Sequence, residues 1–429
     1  MRQLLPVSSL LLAGFILVFG NGVATLLLPA RASAEGWSAG IIALMGSAYA
    51  LAFTAGCVIV PRVVARVGHI RVFAALGTLT TMSMLLHAME VEPWFWILVR
   101  AMAGLSIAGS YMILESWLNE ATSNESRGLV FSAYMVTTMA GLAAGPFLVS
   151  FGSTSGFELF AWAAIVYAVA TLPITLTAAR TPQPLARFDL DLKALYRNSP
   201  ASFVGSLLTG AVAGSWSTLA PVYGVEIGLS TAATATLLAA ATAGAMVFQM
   251  PIGRLSDRVD RRVVMVAVGA AGAGIAFLIA LVGGSSGLLT LLVFLFGATI
   301  YSTYALNVAH ANDWASGVSF VTVASGLLIL YGIGSTIGPL VVGQAMRVLG
   351  PEGLFAGLAA TQLAYAAFAF YRITRRADAP EEDQVDFAAQ PSAVGATPQT
   401  FELDPRADDE GEFSWSEAEE RDYGVAGEA

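Results

Sequence analysis

The chain has 429 residues, of which 56% are hydrophobic and 12% charged, and its mean hydropathy is +0.70. Soluble domains carry about 25% charged residues, so this composition excludes a soluble globular protein and indicates a membrane protein. The net charge of −9 comes from one end of the chain: residues 377–429 hold 16 acidic and 2 basic residues, whereas the rest holds 14 acidic and 19 basic residues.

Apolar segments between turn and charge signals predict twelve membrane-spanning helices. Stretches such as 3–30 and 314–346 contain no Asp, Glu, Lys or Arg and exceed the length of about 20 residues that a spanning helix needs. They lack the strict alternation of barrel strands, so helices are the predicted spanning structure. In chain order the predicted spans are residues 5–29, 39–60, 71–89, 94–116, 127–151, 157–179, 198–222, 231–252, 263–282, 287–308, 317–345 and 353–374.

The arginines predict how these spans are oriented. Loops on the same side of the membrane as the N-terminus hold 16 basic residues, and loops on the opposite side hold only Arg31 and Arg347. Because basic loops remain in the cytoplasm, we predict that both termini and the segment 180–197 are cytoplasmic, in a bacterial inner membrane. One further basic residue, Arg100, lies inside the fourth span.

An internal repeat runs through the chain with an offset of 192 or 193 residues. Rare residue types match in one register, as Pro29 with Pro221 and Tyr111 with Tyr304. Each copy covers six spans, an even number, so the copies are parallel and related by an axis along the membrane normal. The other matched pairs are Gly22 and Gly214, Gly36 and Gly228, Ser38 and Ser230, Arg62 and Arg254, Arg66 and Arg258, Gly104 and Gly297, Asn119 and Asn312, Gly141 and Gly334, Gly145 and Gly338, and Pro146 and Pro339.

A dense cluster of charge, GRLSDRVDRR at residues 253–262, separates the eighth and ninth spans. This segment resembles the loop motif G-x-L-x-D-R-x-G-R-[RK] of the major facilitator superfamily. The two parallel six-helix repeats resemble the same family. The first copy, at residues 61–70, is degraded and has Ala65 in place of the aspartate. The matching residues of the second copy are Gly253, Leu255, Asp257, Arg258, Arg261 and Arg262, with Asp260 where glycine is usual.

The resemblance implies an all-α membrane protein whose twelve helices form two pseudo-symmetric six-helix bundles. These bundles would be residues 1–179 and 198–376, joined by a cytoplasmic linker over residues 180–197. Residues 377–429 are polar and acidic, so we expect a cytoplasmic tail without fixed structure.

Charges at the cytoplasmic face are expected to form a latch between helix ends. By the repeat symmetry Asp257 would lie near the start of the fifth span, at residues 126–129, where free amides and the helix dipole stabilise a carboxylate. Arg254 and Arg258 would reach Asp313. The mirrored set would be Arg62 and Arg66 with Glu115 or Glu120. The alternative is that these charges only set the topology and are solvated.

Arg100 is the first candidate for a functional residue inside the membrane. It lies about 10 Å along its helix from Pro93, and a charge at such depth is costly unless it has a partner. We interpret it as a residue that binds substrate or tunes proton affinity; the alternative is that it snorkels to the outer surface.

The resemblance implies a cavity lined by the first, fourth, seventh and tenth spans. The aromatic and sparsely polar character of the candidate lining suits a neutral or anionic amphiphile. The candidates are Asn21, Thr25, Arg100, Tyr111, Trp216, Tyr301, Tyr304 and Asn307, with Tyr134, Gln249 and Tyr331 from neighbouring spans.

Gly141, Gly145 and Pro146 on the fifth span are similar to a further motif of the family, which there marks exporters that exchange substrate for protons. A second copy, Gly334, Gly338 and Pro339, lies on the eleventh span. Because both halves carry the motif, we favour a role in close helix packing and bending.

The predicted function is transport of a small molecule by alternating access. Proton-coupled export is the leading prediction, and uptake or exchange is the alternative. ESWLNE at residues 115–120 and AHAND at residues 309–313 are similar to a bacterial branch of efflux-type permeases. A membrane scaffold or sensor that has lost transport is the alternative from another class. The sequence has no phosphate-binding loop, metal-spaced cluster or nucleophile triad, so we expect no enzyme activity, cofactor, metal or nucleic acid, and a monomer in the bilayer.

Overall fold

The computed structural model describes residues 4, 7–175, 191–283, 287–315, 318–375, 387 and 396–408. Within them all regular structure is helical, and twelve helices are long and apolar enough to cross a membrane. This confirms the predicted all-α class and the number of spans. The first six are α1 (Ser8–Ala34), α2 (Ala39–Val67), α3 (His69–Met89), α4 (Pro93–Glu120), α5 (Arg127–Ala144), which continues as a 3₁₀-helix over Gly145–Phe151, and α6 (Glu158–Thr175).

A short helix, α7 (Leu192–Asn198), occupies the end of the predicted linker. It begins at Asp191, whose carboxylate accepts hydrogen bonds of 2.9 Å from the backbone N–H groups of Lys193 and Ala194. The rest of the linker, 180–190, lies outside the described residues. The spans of the second half are α8 (Pro200–Glu226), α9 (Thr231–Ser256), α10 (Arg261–Val282), α11 (Gly287–Asn312), α12 (Phe320–Leu349) and α13 (Gly353–Ile373), and the short α14 (Pro398–Glu402) follows.

The turn between the first two spans of each half shows the repeat in three dimensions. Gly36 and Gly228 both have positive φ angles, 78° and 76°, which only glycine adopts at little cost. Two residues later, Ser38 and Ser230 each cap the following helix by accepting a hydrogen bond from a backbone N–H of its first turn. The matched sequence pairs therefore code for the same helix–turn–helix geometry.

Each half packs mainly within itself. In the first half α1 lies against α5 and α6, α2 against α4, and α3 against α4 and α6. In the second half α8 lies against α12 and α13, α9 against α11, and α10 against α11 and α13. The halves meet where α2 packs on α12, α1 on α8, and α5 on α9, so the interface between them consists of whole spanning helices.

The glycines of the fifth span bring α5 into backbone contact with α1. A Cβ on Gly141 would lie 2.9 Å from the carbonyl oxygen of Phe15, and one on Gly145 would collide with the oxygen of Phe19. Pro146 ends the α-helical part of this span, since the chain continues as a 3₁₀-helix.

The second copy of the motif does the same for α12 and α8. A Cβ on Gly334 would collide with the carbonyl oxygen of Leu207, and one on Gly338 with that of Ala211. Pro339 lies inside α12. Small residues are what allow helices in lipid to approach so closely, so the contacts agree with the packing interpretation.

We predict that Gly338→Ala destabilises the protein although alanine favours helix formation. The added methyl group must push α12 from α8, and overpacking of this kind costs about 1–3 kcal/mol. Gly274→Ala on α10 is the matched control, because nothing lies within 4 Å of a Cβ there. Thermal unfolding in detergent should show a lower midpoint for Gly338→Ala only; equal midpoints would contradict the packing role.

Candidate functional site

The main cavity lies between the two halves. It holds about 940 Å³ of space not filled by atoms, part of it open to solvent, and is lined by α1, α2 and α4 of the first half and by α8 and α12 of the second. A ligand in this cavity would therefore touch both halves at once.

Arg100 is the charged residue of the cavity lining. Its guanidinium carbon lies 4.1 Å from the centre of the Tyr49 ring, and the Tyr49 hydroxyl donates a hydrogen bond of 3.2 Å to Oδ1 of Asn21. Within the described part of the chain no hydrogen bond or ion pair to the Arg100 guanidinium is present. The ring face stabilises the cation, while its N–H donors remain available to a ligand.

The remainder of the lining is neutral. Hydroxyl and amide groups are spread over both halves, and they alternate with apolar and aromatic surface. The surface can therefore hold a partly apolar molecule and orient it through one positive group. The polar members of the lining besides Arg100 and Tyr49 are Asn21, Thr25, Thr54, Ser217, Thr218, Tyr331 and Ser335.

Of the cavity residues proposed from the sequence, Asn21, Thr25, Arg100 and Tyr331 line the cavity. Trp216 does not: it packs within the second half, with ring centroids 6.0 Å from Phe296 and 6.2 Å from Phe355.

Six further candidates, among them Tyr134 and Gln249, also lie outside the lining. Tyr111 is buried in the first half, and Tyr301 packs on the apolar core. The Tyr304 hydroxyl donates to the backbone oxygen of Ala324 at 3.1 Å. Asn307 bonds within the second half, donating to the Thr209 hydroxyl at 3.2 Å and accepting from the Tyr365 hydroxyl at 3.1 Å. The polar side chains Tyr304 and Asn307 of α11 thus form hydrogen bonds within the second half and do not face the cavity.

The sequence reading missed the contribution of the second span. Tyr49, Phe53, Thr54 and Cys57 on α2 line the cavity, because α2 packs along α12 across the interface between the halves. A tyrosine in the middle of an otherwise apolar span was the signal that could have identified this helix.

The predicted latch pairs differently from the expectation. Asp313 makes a buried ion pair of 2.7 Å with Arg261, which also pairs with Asp257 at 3.1 Å. Arg254 and Arg258 are exposed, so neither takes the place beside Asp313 that we expected. Arg261 begins α10 and adjoins the end of α11, whereas Arg258 lies in the solvent-facing turn after α9. This pairing ties helices of the second half to each other.

Asp257 is also directed elsewhere than predicted. Besides Arg261, its carboxylate accepts a hydrogen bond of 3.0 Å from the backbone N–H of Phe387. Phe387 belongs to the tail, and its ring lies against Gly253 of the same motif. Asp257 thus binds the tail, whereas we had expected it to lie near the start of the fifth span.

The mirrored latch set is dispersed. Arg62, Arg66 and Glu120 are exposed, and Arg62 donates to the carbonyl oxygen of Val58 in its own helix. Glu115 is fully buried and accepts a hydrogen bond of 2.7 Å from the Tyr134 hydroxyl. Arginines on the last turns of α2 reach water, while Glu115 lies more than a turn inside the end of α4.

Residues 396–408 of the tail have a fixed structure where we expected none. The helix α14 lies within residues 396–404. The fully buried side chains of this segment include Thr397, Thr400, Phe401 and Asp404. The hydroxyl groups of Thr397 and Thr400 donate to the carboxylate of Glu115. The prediction was wrong here because average composition conceals a short segment that has specific polar partners; the remaining tail, except Phe387 and residues 405–408, lies outside the described residues.

Two parallel halves of six spans with a cavity between them are the architecture of membrane transporters built from two repeated bundles, and this chain has that architecture. The sequence profile of the Major Facilitator Superfamily matches residues 10–248 and 203–403, and the chain belongs to this family. Membership makes it a transporter in a membrane, not an enzyme.

Relatives and solved structures agree with this assignment. The chain is 24% identical over 365 residues to the MFS-type transporter YcaD of Salmonella arizonae, covering 84% of this chain and 94% of the relative. Its fold is similar to the nucleoside transporter NupG, with a TM-score of 0.73, 16% identity, and coverage of 87% of this chain and 100% of that chain. A bacterial homologue of the human lysosomal transporter Spinster, inward-facing and occupied, gives a TM-score of 0.68 at 15% identity, with 89% of this chain and 98% of that chain covered.

We predict that Arg100→Ala weakens binding of organic anions. A hydrogen bond to a charged group contributes about 1.5–3 kcal/mol, which corresponds to about ten- to a hundredfold in dissociation constant. Arg347→Ala, at an exposed site beyond the cavity, is the control for loss of one positive charge. Thermal-shift titrations with carboxylates and their neutral amides should show the loss for the carboxylates and only in Arg100→Ala; equal binding by both variants would remove Arg100 from the site.

Proposed function

We propose that the chain exports a neutral or anionic organic amphiphile in exchange for protons, by alternating access of the cavity between its halves. The observation that carries this proposal is the placement of Arg100, which lines the cavity with no hydrogen-bond or ion-pair partner in the described chain. Guanidinium groups bind carboxylates and phosphates through paired hydrogen bonds. The first ligand expected at Arg100 is therefore an anionic or carbonyl-bearing end of a solute.

The rest of the solute is expected to be apolar and flat. Phe53, Tyr49 and Tyr331 present aromatic surface, and Leu328 and Ile329 present aliphatic surface. Such surface favours burial of an apolar body, since the hydrophobic gain grows with the area removed from water. A polyol would gain little from this apolar and aromatic surface.

Transport by rocking of the halves is supported by how the lining is divided. Arg100 and Tyr49 belong to the first half, whereas Ser217, Thr218 and Ser335 belong to the second. Rocking of one half against the other would open the cavity at one face of the membrane, close it at the opposite face, and change the distance between these two sets of groups. A solute bound to both sets is then released when they part.

Proton coupling is supported by Glu115. Its carboxylate is fully buried, and its hydrogen-bond partners in the described chain are the hydroxyl groups of Tyr134, Thr397 and Thr400, with no cation among them. An ionised group in a dry site is costly without a counter-charge. We therefore assign to Glu115 the proton that is exchanged when this region becomes hydrated during the cycle.

The placement in the membrane is part of the proposal. The excess of arginine on one set of loops supports cytoplasmic termini, and the bacterial relatives support an inner-membrane location. The functional unit that we propose is a monomer.

The proposal predicts counterflow of an organic anion in proteoliposomes, and stimulation of its net efflux by an inwardly directed proton gradient. Glu115→Gln should retain exchange of the solute but lose the response to the gradient, because glutamine keeps the volume and cannot exchange a proton. The unmodified chain and Arg100→Ala serve as the active and inactive references. If no compound that stabilises the purified protein moves in any form, the chain is a scaffold or sensor and the proposal is overturned.

A further inference from the structure

The segment 396–406, which we call the plug, lies at the arginine-rich face, meaning the face that carries the α2–α3, α4–α5, α9–α10 and α11–α12 loops. Its helix α14 packs against α4 of the first half and α12 of the second. The segment therefore stands between the halves, at the mouth through which this face would communicate with the cavity.

Polar contacts attach the plug to the first half. Thr397 donates its hydroxyl hydrogen to one oxygen of Glu115, and Thr400 donates to the other at 2.7 Å. The Thr400 hydroxyl also accepts a hydrogen bond of 2.8 Å from the backbone N–H of Thr397, which closes a capping box at the start of α14. Arg127 of α5 donates to the backbone oxygen of Glu402 at 3.3 Å.

Aromatic contacts attach the plug to the second half. The ring of Phe401 is fully buried, with its centroid 6.5 Å from that of Tyr304 on α11 and 6.2 Å from that of Phe320 on α12. The guanidinium of Arg406 lies 4.2 Å from the centre of the Phe320 ring and pairs with Asp404 at 2.7 Å. Burial of the Phe401 ring and its edge-on contact with Phe320 stabilise this docking.

A second attachment lies upstream in the tail. The backbone N–H of Phe387 binds Asp257, and the Phe387 ring fills the space beside Gly253. Both partners belong to the charged motif between α9 and α10. The tail is thus held at the loop motif and again at the mouth.

From these contacts we infer that the plug is an intramolecular gate. It closes the arginine-rich mouth, holds the two halves apart at this face, and must leave before the halves can close there. The contacts with Glu115 and Arg127 on one side and with Tyr304 and Phe320 on the other cannot all persist once α4 and α11 approach each other. Because the plug is covalently attached, its docking depends on an effective concentration set by its tether and not on the abundance of the protein.

The inference rests on the proposed function in one respect, that this mouth leads to the cavity. Its test therefore uses no solute. Cys57 is the single cysteine of the chain and lines the cavity, so its labelling rate reports access to the cavity. Gln399 is buried in the plug without a hydrogen-bond partner for its side-chain amide, so a cysteine there reports docking with little loss of contacts.

We expect a membrane-impermeant maleimide to label Gln399→Cys, in a Cys57→Ser background, at least tenfold more slowly than Ala121→Cys, at an exposed site of the α4–α5 loop, in the same background. Phe401→Ala, and independently Thr397→Val with Thr400→Val, should remove this protection. Phe151→Ala, the same change at an exposed site outside the plug, should preserve it. Equal labelling of positions 399 and 121 in the parent would overturn the docking of the plug.

We further expect the same plug variants, and truncation before Ala396, to raise the labelling rate of native Cys57 from the arginine-rich face at least tenfold. Size-exclusion profiles verify that each variant is folded. A protected plug whose release leaves Cys57 labelling unchanged would overturn the gate. Absence of transport in any form would overturn the proposed function while these two rates still report the plug.

Docking of the plug should also strengthen as pH falls. Burial raises the pKa of Glu402 to about 7, against an opposing effect of nearby Arg127. The docked tail then holds a proton that the free tail lacks between about pH 4.5 and 7, so docking is favoured at the acid end and weakens toward neutral pH. Glu115 on α4 and the Asp404–Arg406 pair also face this region, so the comparison must isolate Glu402.

For this comparison, the labelling rate at position 399 is divided by that of the Glu402→Gln variant at each pH, which cancels the titration of the thiol itself. The ratio should rise several-fold between about pH 5.5 and 8. A ratio that stays constant across this range would exclude Glu402 as the source of the pH response.

Discussion

A charge buried among membrane-spanning helices has little water around it, and its burial costs several kcal/mol unless polar groups or aromatic faces replace that water. Arg100 and Glu115, both on α4, meet this constraint in opposite ways. Arg100 rests on the ring of Tyr49 and keeps its donors for the cavity, whereas Glu115 is enclosed by hydroxyl groups, two of them from the tail. The helix α4 thus carries both groups: Arg100, near its start, is assigned to solute binding, and Glu115, near its end, is assigned to proton exchange.

Glycines allow close contacts between helices, both within each half and across the interface that holds the cavity. Gly145 against α1 and Gly338 against α8 join helices within each half. Between the halves, Gly46 lies against Thr218 and Gly332 against Thr54, and these residues also line the cavity. Small residues across the interface let whole helices slide or tilt past each other, so the cavity can change shape while each half keeps its own packing.

The twelve spans and the repeat could be predicted because lipid demands long apolar segments and because paired residues such as Gly36 and Gly228 code for the same turn. The rotation of each helix could not, since a nearly uniform apolar segment has little amphipathic signal. Trp216 was therefore assigned to the cavity and Tyr49 was missed. The plug was missed because it depends on a few contacts with Glu115 and Phe320 that composition does not reveal.

The most direct test of the account is a structure of the protein with a solute that it transports. The account predicts that the solute lies between the halves, with a polar or anionic group on Arg100, an apolar part along Tyr49 and Tyr331, and contacts to Ser217 or Ser335 from the second half. A solute bound within one half, or at a distance from Arg100, would contradict the central claim.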